Sequence, residues 1–148
     1  MLLAASLAPA DDPGKLRQQL QQTTDPVERA KLTAKLGDAM LKQMAVEYKA
    51  KEYEAGDRLL GEYLESVRAA YRGLRDSGRN ARKKPAGFKD LEIHLRKSAR
   101  VLEDLSKLVP FEERQPLQQA VEEVAEIRTG LLEALMSGSK DTAPRSGI

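Results

Sequence analysis

Apolar residues along this chain recur every three or four positions rather than alternating. That spacing puts them on one side of an α-helix and argues against half-buried strands. Asp12-Pro13 opens a short first helix carrying Leu16 and Leu20, which ends near Thr23. Asp25-Pro26-Val27-Glu28 is a stronger start, with Asp25 as N-cap, Pro26 at the first helical position and Glu28 placed for a capping box. From there Val27, Ala30, Ala34, Leu41, Met44 and Tyr48 form a stripe, which Leu32, Leu36 and Met40 widen enough to face neighbours on two sides.

A break is expected over Ala50 to Glu52, followed by a third helix with Tyr53, Leu60, Tyr63, Val67, Ala70 and Leu74 in register. Gly56, Gly61 and Gly73 interrupt it, and close helix approach is one use for such glycines. It stops around Asp76-Ser77-Gly78, and Arg79 to Gly87 is the main loop. A fourth helix carries Phe88, Leu91, Leu95, Leu102, Leu105 and Val109 up to Pro110. A turn over Phe111 to Gln115 leads to a last helix from Pro116, with Leu117, Val121, Val124, Ile127, Leu131 and Leu135 facing inward. The expected fold is all-α: an antiparallel, up-down-up-down bundle of four long helices in two hairpins, with a short N-terminal helix. Residues 11–136 form its single domain and 137–148 a disordered polar tail.

Composition narrows the chemistry. With six aromatics and no tryptophan in 148 residues, the core must be aliphatic. Without cysteine there is no disulfide, thiolate nucleophile or zinc knuckle. No apolar run approaches the roughly 18 residues of a membrane span. The opening Met1 to Ala10 is apolar and ends in Ala8-Pro9-Ala10 before Asp11-Asp12, the pattern of a truncated secretory signal peptide. Periplasmic or secreted localisation follows from that pattern, and a cytoplasmic one if the segment is not a signal.

Charge is sorted along the chain. Residues 68–100 carry eleven Lys or Arg against Asp76, Asp90 and Glu92, whereas residues 101–135 carry eight carboxylates against Lys107, Arg114 and Arg128. The two blocks are net +8 and −5 in a chain of net +2. The basic candidates for binding an anion or a partner are Arg72, Arg75, Arg79, Arg82, Lys83, Lys84 and Lys89. Part of the block is expected to be neutralised by the acidic last helix, leaving the loop corner free.

The stretch Tyr48-Lys-Ala-Lys-Glu-Tyr-Glu-Ala-Gly56 resembles the inter-helix turn of tetratricopeptide repeats. The resemblance implies a Tyr closing one helix, a short turn and close packing at the start of the next. No 34-residue period recurs, so it implies a helical hairpin with a similar corner and not a repeat array. The chain as a whole is similar to small exported bacterial helical proteins, a likeness that implies no activity.

Reactive constellations are sparse. His94, the single histidine, has Asp90 four residues earlier on the same face and reads as a boundary residue beside Leu91 and Leu95. Met40 and Met44 read as core filler rather than haem ligands, and a di-iron bundle needs Glu-x-x-His pairs that one histidine cannot supply. No cofactor, metal or catalytic group is therefore expected. The expected function is a non-catalytic helical protein-interaction module, exported, with an unidentified protein partner. The alternative is a binder of nucleic acid or another anionic polymer or surface through residues 72–100, with nucleic acid the less favoured ligand for want of aromatics. A homodimer through exposed seams of the second helix stays open.

Overall fold

The computed structural model describes residues 12–137; the signal-like segment and the polar tail after Ser137 lie outside them. Five α-helices follow in order: α1 (Pro13–Gln22), α2 (Pro26–Lys49), α3 (Tyr53–Asp76), α4 (Phe88–Leu108) and α5 (Gln115–Ser137). A 3-10 turn over Phe111–Glu113 precedes α5, and no strand occurs among the described residues. The protein is all-α. Helix α2 packs on α3 and on α4, α4 on α5, α1 on α2, and α3 meets α5 along a smaller contact.

The helix ends follow local chemistry. Asp12 and Asp25 each cap a helix through their carboxylates, accepting from Lys15 N at 3.2 Å and from Glu28 N at 2.9 Å. The return bond expected of a capping box is not made at Asp25, and the exposed Glu28 carboxylate lies 4.0 Å from Lys31 Nζ. Helix α2 ends in a tight motif in which Glu52 N donates to Glu47 O and Lys51 N to Tyr48 O. Lys51 takes the left-handed φ of 65° that this motif needs. A lysine stands where glycine is usual, which is why the break carries little propensity signal.

The apolar seams become the core. Leu60, Tyr63, Val67, Ala70 and Leu74 of α3 are buried, as are Phe88, Leu91, Leu95, Leu102 and Leu105 of α4. A fully buried leucine of this kind contributes about 2 kcal/mol. Two seams are turned by one position from the expectation. In α2, Thr33 and Gly37 are buried while Ala34 is half-buried. In α5, Ala120 and Ala134 are buried while Val121 and Leu135 are half-buried. At Gly37 the His94 ring of α4 comes so close that a Cβ would stand 2.5 Å from it.

The corner between α2 and α3 shows such an approach. Tyr48 is 2% exposed, and its ring lies so near Gly56 that an added Cβ would sit 2.6 Å from a ring carbon. Its hydroxyl donates to Asp57 Oδ1 at 2.8 Å. Gly61 differs, since a Cβ there meets nothing within 4 Å, and at Gly73 it meets only Pro26, at 3.9 Å. Close approach thus explains Gly56 and not the other two.

Gly56→Ala is expected to lose about 1–3 kcal/mol by overpacking against Tyr48, despite the better helix propensity of alanine. Gly61→Ala is expected to gain up to about 1 kcal/mol, since only the propensity changes. Urea unfolding of both variants checks the opposite signs.

Candidate interaction site at the basic corner

The loop joining α3 to α4 is pinned at several points. Ser77 Oγ donates to Leu74 O at 2.6 Å and accepts from Arg79 N at 3.2 Å. The Asn80 side-chain oxygen accepts from Arg82 N at 3.0 Å and Lys83 N at 3.2 Å, while Asn80 O accepts from Lys84 N at 2.9 Å. Such a turn is favoured by asparagine because its short side chain mimics the backbone. Ala81 is fully buried and plugs the turn into the core. At the far end Asp90 Oδ2 accepts from Gly87 N at 2.9 Å, and buried Gly87 takes a left-handed φ of 86° against Leu74 and Val27.

On this frame the seven predicted basic residues separate into three groups. Arg79 is engaged: its guanidinium donates to Asp25 Oδ1 at 3.1 Å and so ties the loop to the cap of α2. Arg75 lies over the Tyr71 ring, 5.3 Å from its centroid. Arg72, Arg82, Lys83, Lys84 and Lys89 are exposed, and none makes an ion pair with a carboxylate among the described residues. Arg82, Lys83 and Lys84 are consecutive, so the turn presents three unpaired cations at its tip.

Elsewhere in the basic block the charges are used inside the fold. Arg68 of α3 forms a two-pronged bond to Glu123 of α5, with Nη2 to Oε1 at 2.8 Å, and also reaches Glu65 at 3.0 Å. This contact holds the Glu123 carboxyl below its usual range, the hydrogen bond to Arg68 outweighing partial burial. Neutralisation of the block by α5 is thus met at Arg68, while Arg96 and Lys97 of α4 pair elsewhere. Arg96 binds Glu92 one turn earlier at 2.6 Å, and Lys97 binds Asp38 of α2 at 3.2 Å. The link between α4 and α5 has the reverse polarity: Arg128 of the acidic helix donates to Glu92 of the basic one at 2.8 Å. The Glu92 side chain is only 3% exposed. Burial alone would raise its pKa, but the two guanidinium groups outweigh this and hold the carboxyl low.

The reading of His94 as a boundary residue beside Leu91 and Leu95 is corrected. His94 is buried, and its partners are Asp38 of α2 and Tyr63 of α3. Asp90 is occupied at the helix cap. Spacing within one helix cannot show a partner two helices away, and Gly37 and Asp38 in mid-α2 were the available signal. Among the described residues no group of three metal-ligating side chains converges.

A groove of about 580 Å³ lies between α1, α2 and α3, with Leu20, Leu36 and Met40 among its apolar lining. Its charged lining is locally engaged: Arg17 with Glu62 at 3.7 Å, Glu65 with Arg68, and Arg29 with the carbonyls of Leu20 and Thr23 at 2.6 and 2.7 Å. No helix among the described residues is long and apolar enough to cross a membrane. Comparison with protein-family models, curated proteins and solved structures finds no match to this chain.

The triple change Arg82→Gln, Lys83→Gln and Lys84→Gln is expected to shift unfolding free energy by less than about 0.5 kcal/mol, since these side chains hold nothing in place. Glu92→Gln is expected to lose about 2 kcal/mol at neutral pH. The sign follows from the depressed carboxyl: its contribution is full above the unfolded value of about 4.3 and is lost as pH falls through the folded value. Denaturation series at pH 7 and pH 3 check both points, with the Glu92→Gln deficit shrinking at the lower pH.

Proposed function

We propose that this protein is a non-catalytic helical interaction module that docks an acidic protein surface on its basic corner. The supporting observation is the set of cations at Arg82, Lys83 and Lys84, flanked by Arg72, Arg75 and Lys89, carried on a pinned turn and without carboxylate partners. A turn that is already ordered loses less conformational entropy on binding than a free loop. Exposed cations of one sign also steer an acidic partner into contact. In this reading the four long helices run as two antiparallel hairpins, and the tetratricopeptide-like Tyr48–Gly56 corner serves the same scaffold.

The aromatic surroundings favour protein over single-stranded nucleic acid. Stacking needs an open ring face, but Phe88 is 4% exposed. Tyr71 is covered by Arg75, and its hydroxyl lies where a Cβ on Gly130 would be, 2.0 Å away. Export is inferred from Ala8-Pro9-Ala10, and the expected first residue of the mature protein is Asp11. Mass spectrometry of the protein from its native host tests this, and an uncleaved Ala10–Asp11 bond removes the support for export.

Cross-linking from the exposed position 86 of the same turn in native envelope extract should capture one protein reproducibly. Reversal of Arg82, Lys83 and Lys84 to glutamate should weaken that complex at least tenfold, with the fold intact by circular dichroism. Equal capture by the wild type and the reversed variant overturns the proposal. Binding to a DNA duplex or heparin that falls steeply with salt, with no protein captured, replaces the acidic protein by an anionic polymer.

A further inference from the structure

We propose that Asp38, His94, Tyr63 and Ser98 form a proton-sensitive latch that holds α2 and α3 against α4 near neutral pH and loosens on acidification. The four groups make one continuous chain. His94 Nδ1 lies 3.0 Å from Asp38 Oδ1, and Nε2 lies 2.7 Å from the Tyr63 hydroxyl. That hydroxyl lies 2.7 Å from Ser98 Oγ. The chain begins at a carboxylate 43% exposed and ends at Tyr63 and Ser98, both fully buried. It links three helices through a ring that has no slack, because a Cβ on Gly37 would stand 2.5 Å from Nε2.

The carboxylate sets the direction of the hydrogen bonds. Asp38 only accepts, so Nδ1 carries the hydrogen and the Nε2 lone pair accepts from Tyr63. The single hydroxyl hydrogen of Tyr63 is then committed to the ring, and Ser98 must donate to the Tyr63 oxygen. A proton added at Nε2 reverses this order: Nε2–H donates to Tyr63, and Tyr63 donates to Ser98. The same proton places a positive charge on a side chain that is 3% exposed. Compensation is poor, since Lys97 Nζ sits 3.2 Å from the same Asp38 oxygen and already uses its charge. Tyr63 offers no anion, because burial pushes its hydroxyl far above the usual range.

Asp38 from α2, Tyr63 from α3 and Lys97 from α4 are the titratable groups facing the ring among the described residues. Burial favours the neutral imidazole, Asp38 opposes this and Lys97 adds to it, with the balance below the ordinary histidine value. The unfolded ring protonates near pH ~6.5, whereas the folded ring resists. The latch's contribution is therefore full above that pH and declines as pH falls below it. Glu92 and Glu123 respond only at lower pH, as depressed carboxyls.

The test uses the full chain, whose one histidine gives one ring signal to follow by NMR. The expected titration midpoint is below ~6.5, with the melting temperature falling between pH 7.5 and 5. Amide opening over residues 35–41 and 92–98, corrected for intrinsic rates, should be at least tenfold faster at pH 5. His94→Gln, which keeps hydrogen-bonding capacity but does not titrate, should remove most of the pH-dependent fall. Should that variant fail to fold, Asp38→Asn should move the ring's midpoint further down. A wild-type midpoint at or above ~6.5, an unchanged pH slope in folded His94→Gln, or an unchanged midpoint in Asp38→Asn overturns the latch.

Discussion

The close approach of α2 and α4 at Gly37 is the constraint on which the rest of the structure depends. An imidazole from α4 fills the space a side chain on Gly37 would need, and bonds on one side to Asp38 and on the other to Tyr63 of α3. One ring thereby fixes where three helices stand, and the apolar seams above and below it pack to suit. Buried polar chains of this type confer more geometric definition than net stability, because each bond replaces one made to water. The interior tolerates it only because every member is satisfied; no buried side-chain polar atom lacks a partner among the described residues.

The ion pairs follow a related logic. Charge is sorted into a basic and an acidic block, yet the bond from α4 to α5 is made by the minority members of each. Glu92, one of three acids in the basic block, meets Arg128, one of three bases in the acidic block. Asp38 of α2 and its N-cap Asp25 take up Lys97 and Arg79. The majority charges at the turn are left to solvent, and a pinned backbone holds them in place. The interior uses charge to set geometry, while the cations at the corner face solvent.

Much of the fold was legible in the sequence because it rests on local rules. The 3-4 spacing marks the seams of α3 and α4, Asp25-Pro26 marks the start of α2, and Pro110 ends α4. What escaped depends on contacts between helices. The stripe of α2 includes Thr33 and Gly37, which hydropathy ranks as unfit for a core. His94 chose Asp38 over Asp90 because a carboxylate across the interface reaches the ring while Asp90 is held at the cap. At the corner, charge density was readable from composition. That Arg79 is spent on Asp25 while Arg82, Lys83 and Lys84 are not depends on the turn made by Asn80, which charge alone does not reveal.

The central claim is that the basic corner is ordered and free, and that it recognises acidic chains. Its most direct test is a titration of the labelled protein with a short poly-glutamate peptide at low salt, followed by backbone NMR. The account predicts that shifts concentrate at residues 72, 75, 82–84 and 89, vanish with added salt, and leave Arg96, Lys97 and Arg128 unmoved. Shifts spread over those internally paired cations, or none at the turn, would contradict it.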